Sequence, residues 1–253
     1  MPATGDNSRK GLMMGHQNGE SLCPGDEESG MDRKDIISGW LKIVFGLLVF
    51  ALGVHLTIRA DLGVAPWDCL GMGLARHTPL NYGLAMTSIG VIVLLIDILM
   101  KEKIGFGTII DALLTGNFVQ MFNDIDPFPK TTGIFAGMII IVAGLALMAL
   151  GQFFYMTSAQ CCGPRDTLLV GLGRRLGRLP IGAVQVILLG SVLFAGWLLG
   201  GPVGIGTLVS TFGSGIVMQI IYDLIKFEPR NVKHRSVIET AKILRTCKVR
   251  NEP

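Results

Sequence analysis

The sequence predicts an all-α, polytopic helical membrane protein. About six transmembrane helices form two inverted three-helix repeats, each with a short Pro-x-Asp half-helix. Three observations carry this reading. Half of the 253 residues are hydrophobic and only 16% are charged, against about a quarter in soluble domains. The charges are segregated, with 22 of the 41 in the first 35 and last 28 residues. A block is also written twice: Gly63-Val64-Ala65-Pro66-Trp67-Asp68-Cys69-Leu70 and, 98 residues on, Cys161-Cys162-Gly163-Pro164-Arg165-Asp166-Thr167-Leu168.

The chain opens with a polar stretch, 1–35, that has no apolar core and so is no secretory signal. It cannot bury enough apolar surface to offset its ordering entropy, and it reads as a disordered cytoplasmic tail. The membrane domain, 36–226, holds apolar segments at about 37–58, 83–100, 105–122, 133–156, 180–199 and 204–225. Each approaches the roughly 20 residues that a helix needs to cross a bilayer. Positive charge favours the cytoplasmic side. With the N-terminus inside, Arg33, Lys34, Lys101, Lys103, Arg165, Arg174, Arg175, Arg178 and the basic tail all fall inside, which puts both ends in the cytoplasm.

Three spans per unit is an odd number, so the two halves have opposite orientation, as in many secondary transporters. The repeat covers about 46–120 and 144–219. Gly46 and Gly53 align with Gly144 and Gly151, and Gly105, Thr108, Gly116 and Gln120 with Gly204, Thr207, Gly215 and Gln219.

Within each block, proline suits the first helical turn because its missing N–H costs nothing there. Asp68 and Asp166 then meet free N–H groups and the positive end of the helix dipole. The first such helix should run to Arg76 or His77 and stop before Pro79, too short to span. Two re-entrant half-helices, one from each side, would converge on a midplane site. Alternatively, Asp68 and Asp166 only cap interfacial helices, and Trp67 is an interfacial anchor. Arg59 and Arg165 are the companion charges. Arg59 and Asp61 also read as a solvated pair at a helix end.

Asp111 lies well inside the third segment and shares a face with Thr108 and Thr115; the matched positions are Thr207, Ser210 and Ser214. An ionisable intramembrane residue is costly and is a functional candidate that suits proton coupling. It can also serve only to join helices through hydrogen bonds. Asp68, Asp166, Asp111, Arg59 and Arg165 are therefore the candidate substrate-binding residues. Asp97 and Asp223 lie near helix ends and read as interfacial ion pairs with Lys101 and Lys226.

The five cysteines show no metal-ligand spacing. No nucleophile–His–acid set and no phosphate loop appears, so neither enzyme activity nor a cofactor or metal is expected. The last stretch, 227–253, reads as a basic amphipathic tail suited to an anionic cytoplasmic leaflet. Nothing in it resembles a base-reading motif, and no nucleic-acid partner is expected.

The run Leu56-Thr57-Ile58-Arg59-Ala60-Asp61-Leu62-Gly63-Val64-Ala65-Pro66-Trp67-Asp68 resembles the YczE/YyaS/YitT group of bacterial integral membrane proteins, closest to its YczE-like branch. Gly163-Pro164-Arg165-Asp166 and Gly196-Trp197-Leu198-Leu199-Gly200-Gly201-Pro202-Val203-Gly204 look like the same group, over about 40–226. Gln160-Cys161-Cys162 departs from the pattern of Leu62-Gly63-Val64. The resemblance implies a multi-pass protein of the bacterial cytoplasmic membrane but no substrate. The residues point to a transporter or exporter of an unknown small solute, with a midplane site between the repeats. The alternative is a non-transporting accessory protein that anchors a cytoplasmic partner.

Overall fold

The computed structural model describes residues 33–102, 104–158, 163–177 and 179–226. The polar tail before Arg33, the basic tail 227–253 and the departing Gln160-Cys161-Cys162 lie outside the described residues. Among the described residues there are eight α-helices and no strand. In chain order they are α1 (Arg33–Arg59), α2 (Pro66–His77), α3 (Tyr82–Leu99), α4 (Phe106–Ile125), α5 (Ile134–Met156), α6 (Pro164–Arg175), α7 (Ile181–Leu198) and α8 (Ile205–Ile225).

Four stretches are long and apolar enough to cross a membrane: Ser38–Arg59 in α1, and α3, α5 and α8. The apolar part of α7, Gly182–Leu198, is shorter. Helix α4 is diluted by Asp111, Asn117, Gln120 and Asp124. Large apolar side chains such as Leu99, Phe135, Ile139, Phe212 and Leu224 face outward. A surface of that size and kind would drive association in water and suits lipid. The chain is a helical membrane protein.

Local chemistry sets the helix ends. Pro66 and Pro164 open α2 and α6 at the first turn. Asn81 caps α3, its Oδ1 accepting from Leu84 N at 2.8 Å. Thr108 Oγ1 accepts from Gly105 N at 3.3 Å, and Thr207 Oγ1 from Gly204 N at 3.1 Å, so α4 and α8 begin alike.

Small residues set the packing, because in lipid close backbone approach replaces hydrophobic exclusion as the driving force. Helices α1 and α5 cross antiparallel. A Cβ on Gly46 would lie 2.8 Å from Gly151 O, and one on Gly53 would lie 2.6 Å from Gly144 O. Helices α3 and α4 close through Gly83 and Gly116, where a Cβ on Gly116 would lie 2.8 Å from Gly83 O. Helix α2 packs on α7, and α6 packs on α3. Helices α7 and α8 make no comparable seam. Among the described residues, no atom lies within 4 Å of a Cβ built on Gly182 or Gly215. The main core gathers Ala51, Val54, Met86, Val119 and Leu168 beneath α2 and α6.

Candidate functional site

The site begins at a glycine turn. Gly63 has φ +105, and a Cβ there would lie 2.5 Å from Gly204 N, so both conformation and space exclude a side chain. The turn is pinned to the start of α8, with Gly206 N donating to Leu62 O at 2.7 Å. It delivers Pro66, Trp67 and Asp68 to the interior. Behind them, α2 is wedged against α7: a Cβ on Gly196 would lie 2.6 Å from Leu70 N. Helix α6 likewise opens on a proline, with Gly163, Pro164, Arg165 and Asp166 leading. Arg174 Nη1 ties its far end to Glu102 Oε2 at 2.9 Å.

The first turns of α2 and α6 line one cavity of about 240 Å³. Asp111 and Thr115 on α4 and Ser210 and Ser214 on α8 line it too. Phe50, Val54, Leu145 and Met148 provide apolar wall between α1 and α5. Four of the five residues singled out from sequence therefore meet: Asp68, Asp111, Arg165 and Asp166.

Arg59 does not join them. Its Nε donates to Phe128 O at 2.8 Å and its guanidinium pairs with Asp126, which ties the α4–α5 loop to the end of α1. Nor do the interfacial ion pairs form among the described residues. Asp97 is fully buried and neither of its oxygens has a partner there. Asp223 and Lys226 are joined only through backbone.

Each cavity charge has its own setting. Asp68 is buried, and its Oδ1 accepts from Tyr82 Oη at 2.9 Å. Asp111 Oδ1 accepts from Thr115 Oγ1. A Cβ on Gly163 would sit 3.1 Å from Asp111 Oδ2 and 3.5 Å from Asp166 Oδ2, so these two carboxyls crowd one backbone position. The Arg165 guanidinium lies 5.2 Å from the centre of the Trp67 ring, a cation–π geometry. It acts electrostatically on Asp68, Asp111 and Asp166.

Two features escaped the sequence reading. Tyr82 carried no signal, since a tyrosine at a helix start is ordinary. Trp67 lines the cavity. Its alignment opposite Arg165 was visible, but that the aligned pair would touch was not. The polar stripes on α4 and α8 also divide. Thr108 and Thr207 cap their helices, while Asp111, Thr115, Ser210 and Ser214 line the cavity.

Residues 37–223 match the model of a family described as "Family of unknown function (DUF6198)". An uncharacterised protein of Haemophilus influenzae is 32% identical over 72% of this chain and 83% of its own length. The "Uncharacterized membrane protein YczE" of Bacillus subtilis is 29% identical over 74% of this chain and 86% of its own. The "Uncharacterized protein YyaS" of the same organism is 27% identical over 72% and 90%. The resemblance read from the first Pro-x-Asp block thus holds. No solved structure matches.

Proposed function

The chain belongs to this family of unknown function, DUF6198, and on that premise we propose that it is a small-solute transporter or exporter. Six helices cross the membrane as two inverted three-helix repeats, with both ends in the cytoplasm. The two half-helices meet at a midplane site. The observation that carries this reading is that the N-terminal turns of α2 and α6 line a single cavity. Discontinuous helices meeting at a repeat interface are the usual construction of such sites.

The contacts between the halves support a two-fold relation. The Gly46–Gly151 contact becomes the Gly53–Gly144 contact when the repeats are exchanged. The matched arginines also act alike: Arg76 reaches Gly200 O beyond the end of α7, and Arg174 reaches Glu102 beyond the end of α3. Antiparallel equivalents are what a two-fold axis in the membrane plane produces.

The halves also differ in one respect, and the difference suits alternating access. The α3–α4 seam is shut at Gly83 and Gly116, while its equivalent at Gly182 and Gly215 stands open. With both termini inside, the shut seam lies toward the outside and the open one toward the cytoplasm. Exchanging the two arrangements would turn the cavity to the other face.

The test is a single cysteine at Ser214, on the cavity wall, in a cysteine-free background. A membrane-impermeant thiol reagent is added to intact cells or to inverted vesicles. Transport predicts reaction from both sides, faster from the cytoplasmic one. Reaction from one side only, under all conditions, means a static crevice and turns attention to an accessory role.

A further inference from the structure

The cavity is unbalanced in charge. Among the described residues that line it, three are carboxyls (Asp68, Asp111 and Asp166) and one is a cation, Arg165; no Lys or His reaches it. Arg165 can compensate one carboxylate. Asp68 has the Tyr82 hydroxyl, and Asp111 has that of Thr115. Asp166 accepts no side-chain hydrogen bond among the described residues and crowds Asp111 at Gly163. Asp111 and Asp166 are half-buried, and a carboxylate drawn partly out of water without a partner favours a proton or a bound cation beside it.

A second, independent observation points to a ligand at this wall. Ser210 Oγ is buried on the cavity wall and has no hydrogen-bond partner among the described residues. A buried polar atom without a partner calls for explanation, and an N–H donor on a ligand would satisfy it.

Other charge classes fit less well. Helix N-termini attract anions, but here proline removes one N–H from each, and Asp68 and Asp166 occupy both first turns. A metal ion needs a dense oxygen cage, and no cluster of three His, Cys, Asp or Glu that could hold one occurs among the described residues. Beyond these groups the wall mixes aromatic and aliphatic side chains, among them Phe50, Leu145 and Met148, with the polar Gln152, Gln185 and Thr211. The volume of about 240 Å³ exceeds the roughly 150 Å³ that accommodates benzene.

We propose, resting on the transporter reading, that the solute is a small organic cation, a protonated amine on a compact apolar or aromatic body. Its ammonium sits between Asp111 and Asp166, Ser210 Oγ accepts from one of its N–H groups, and its body lies against Phe50 and Met148.

The experiment measures binding to the purified full chain in detergent, by calorimetry and by thermal shift. The probes are phenethylamine, methylamine, phenylpropionate and phenylalanine. Phenethylamine should bind saturably, and both phenylpropionate and methylamine at least about tenfold more weakly. Asp111→Asn and Asp166→Asn should each weaken phenethylamine by about 10–100-fold, the value of a charge-assisted hydrogen bond. The exposed loop variant Asp61→Asn should bind as the parent does. If an aspartate variant fails to fold, Ser210→Ala gives a second reading, with an expected loss of several-fold. Phenylpropionate or phenylalanine binding as tightly as phenethylamine, with that affinity lost in Arg165→Gln, would keep the site and overturn the cation. No binding in any charge class by well-folded protein would overturn both the cation and the solute site.

Discussion

Gly116 and Gly215 stand at matched positions of α4 and α8, yet alanine should act oppositely at the two. A Cβ at Gly116 would lie 2.7 Å from Met86 Cβ, 2.8 Å from Gly83 O and 3.3 Å from Thr87 N. Two of these three atoms belong to backbone and cannot turn aside. Overpacking of this kind costs about 1–3 kcal/mol. At Gly215 the same Cβ meets no described atom within 4 Å. Both positions are helix-interior, so the gain in helix propensity, about 1 kcal/mol, is common to the two and cancels. The difference between the variants therefore isolates the overpacking term, about 1–3 kcal/mol. At roughly 2–4 °C per kcal/mol for a chain of this size, Gly116→Ala should melt several degrees below Gly215→Ala. Thermal melting in one detergent, with both proteins monodisperse, measures it. Equal melting temperatures would mean that the two seams are alike and would remove the asymmetry on which alternating access rests.

Other outcomes follow from single contacts. Gly215→Leu should fold normally but abolish reaction of a Ser214→Cys thiol from the outside, because the inner seam can no longer shut. Arg165→Lys should lower the melting temperature although the charge is kept, since an ammonium does not reproduce the flat stacking of the guanidinium on Trp67. Tyr82→Phe leaves a buried carboxyl without its donor and should lower stability by about 1–3 kcal/mol, read by thermal melting. Arg59→Ala should loosen the α4–α5 loop, seen as faster amide exchange at 126–132, while phenethylamine affinity stays unchanged.

Much of this architecture was legible in the residues because its signals are local. Pro66 and Asp68 set a helix start, Pro79 sets its limit, and α2 runs from Pro66 to His77. That Asp68 and Asp166 meet at one cavity was expected from the repeated Pro-x-Asp block, and Asp111 stood out by its place inside an apolar segment. Arg59 was misplaced because its neighbours in sequence say nothing of a loop that folds back over the end of α1 from 69 residues away. Asp97 looked like a helix-end charge within reach of Lys101, but a lysine one turn on can point outward, and Lys101 is exposed. The open and shut seams could not be read at all. Gly83 and Gly116 carry the same residue types as Gly182 and Gly215, so residue type alone does not say which pair is in contact.

Which pair is in contact can be measured directly. In a cysteine-free background, Gly182→Cys and Gly215→Cys are combined in one chain and oxidised in the membrane, with Ser214 unchanged. A disulfide needs Cα atoms within about 7 Å; Gly83 and Gly116 are in backbone contact, whereas no described atom lies within 4 Å of a Cβ on Gly182 or Gly215. If the two seams exchange states, the pair should cross-link over time, more slowly when a solute holds the cavity open to the cytoplasm. The cross-linked protein should then be silent in transport and recover on reduction. Thiols that each react with reagent yet never cross-link with one another would contradict the account. They would leave a fixed cavity between two repeats that do not trade places.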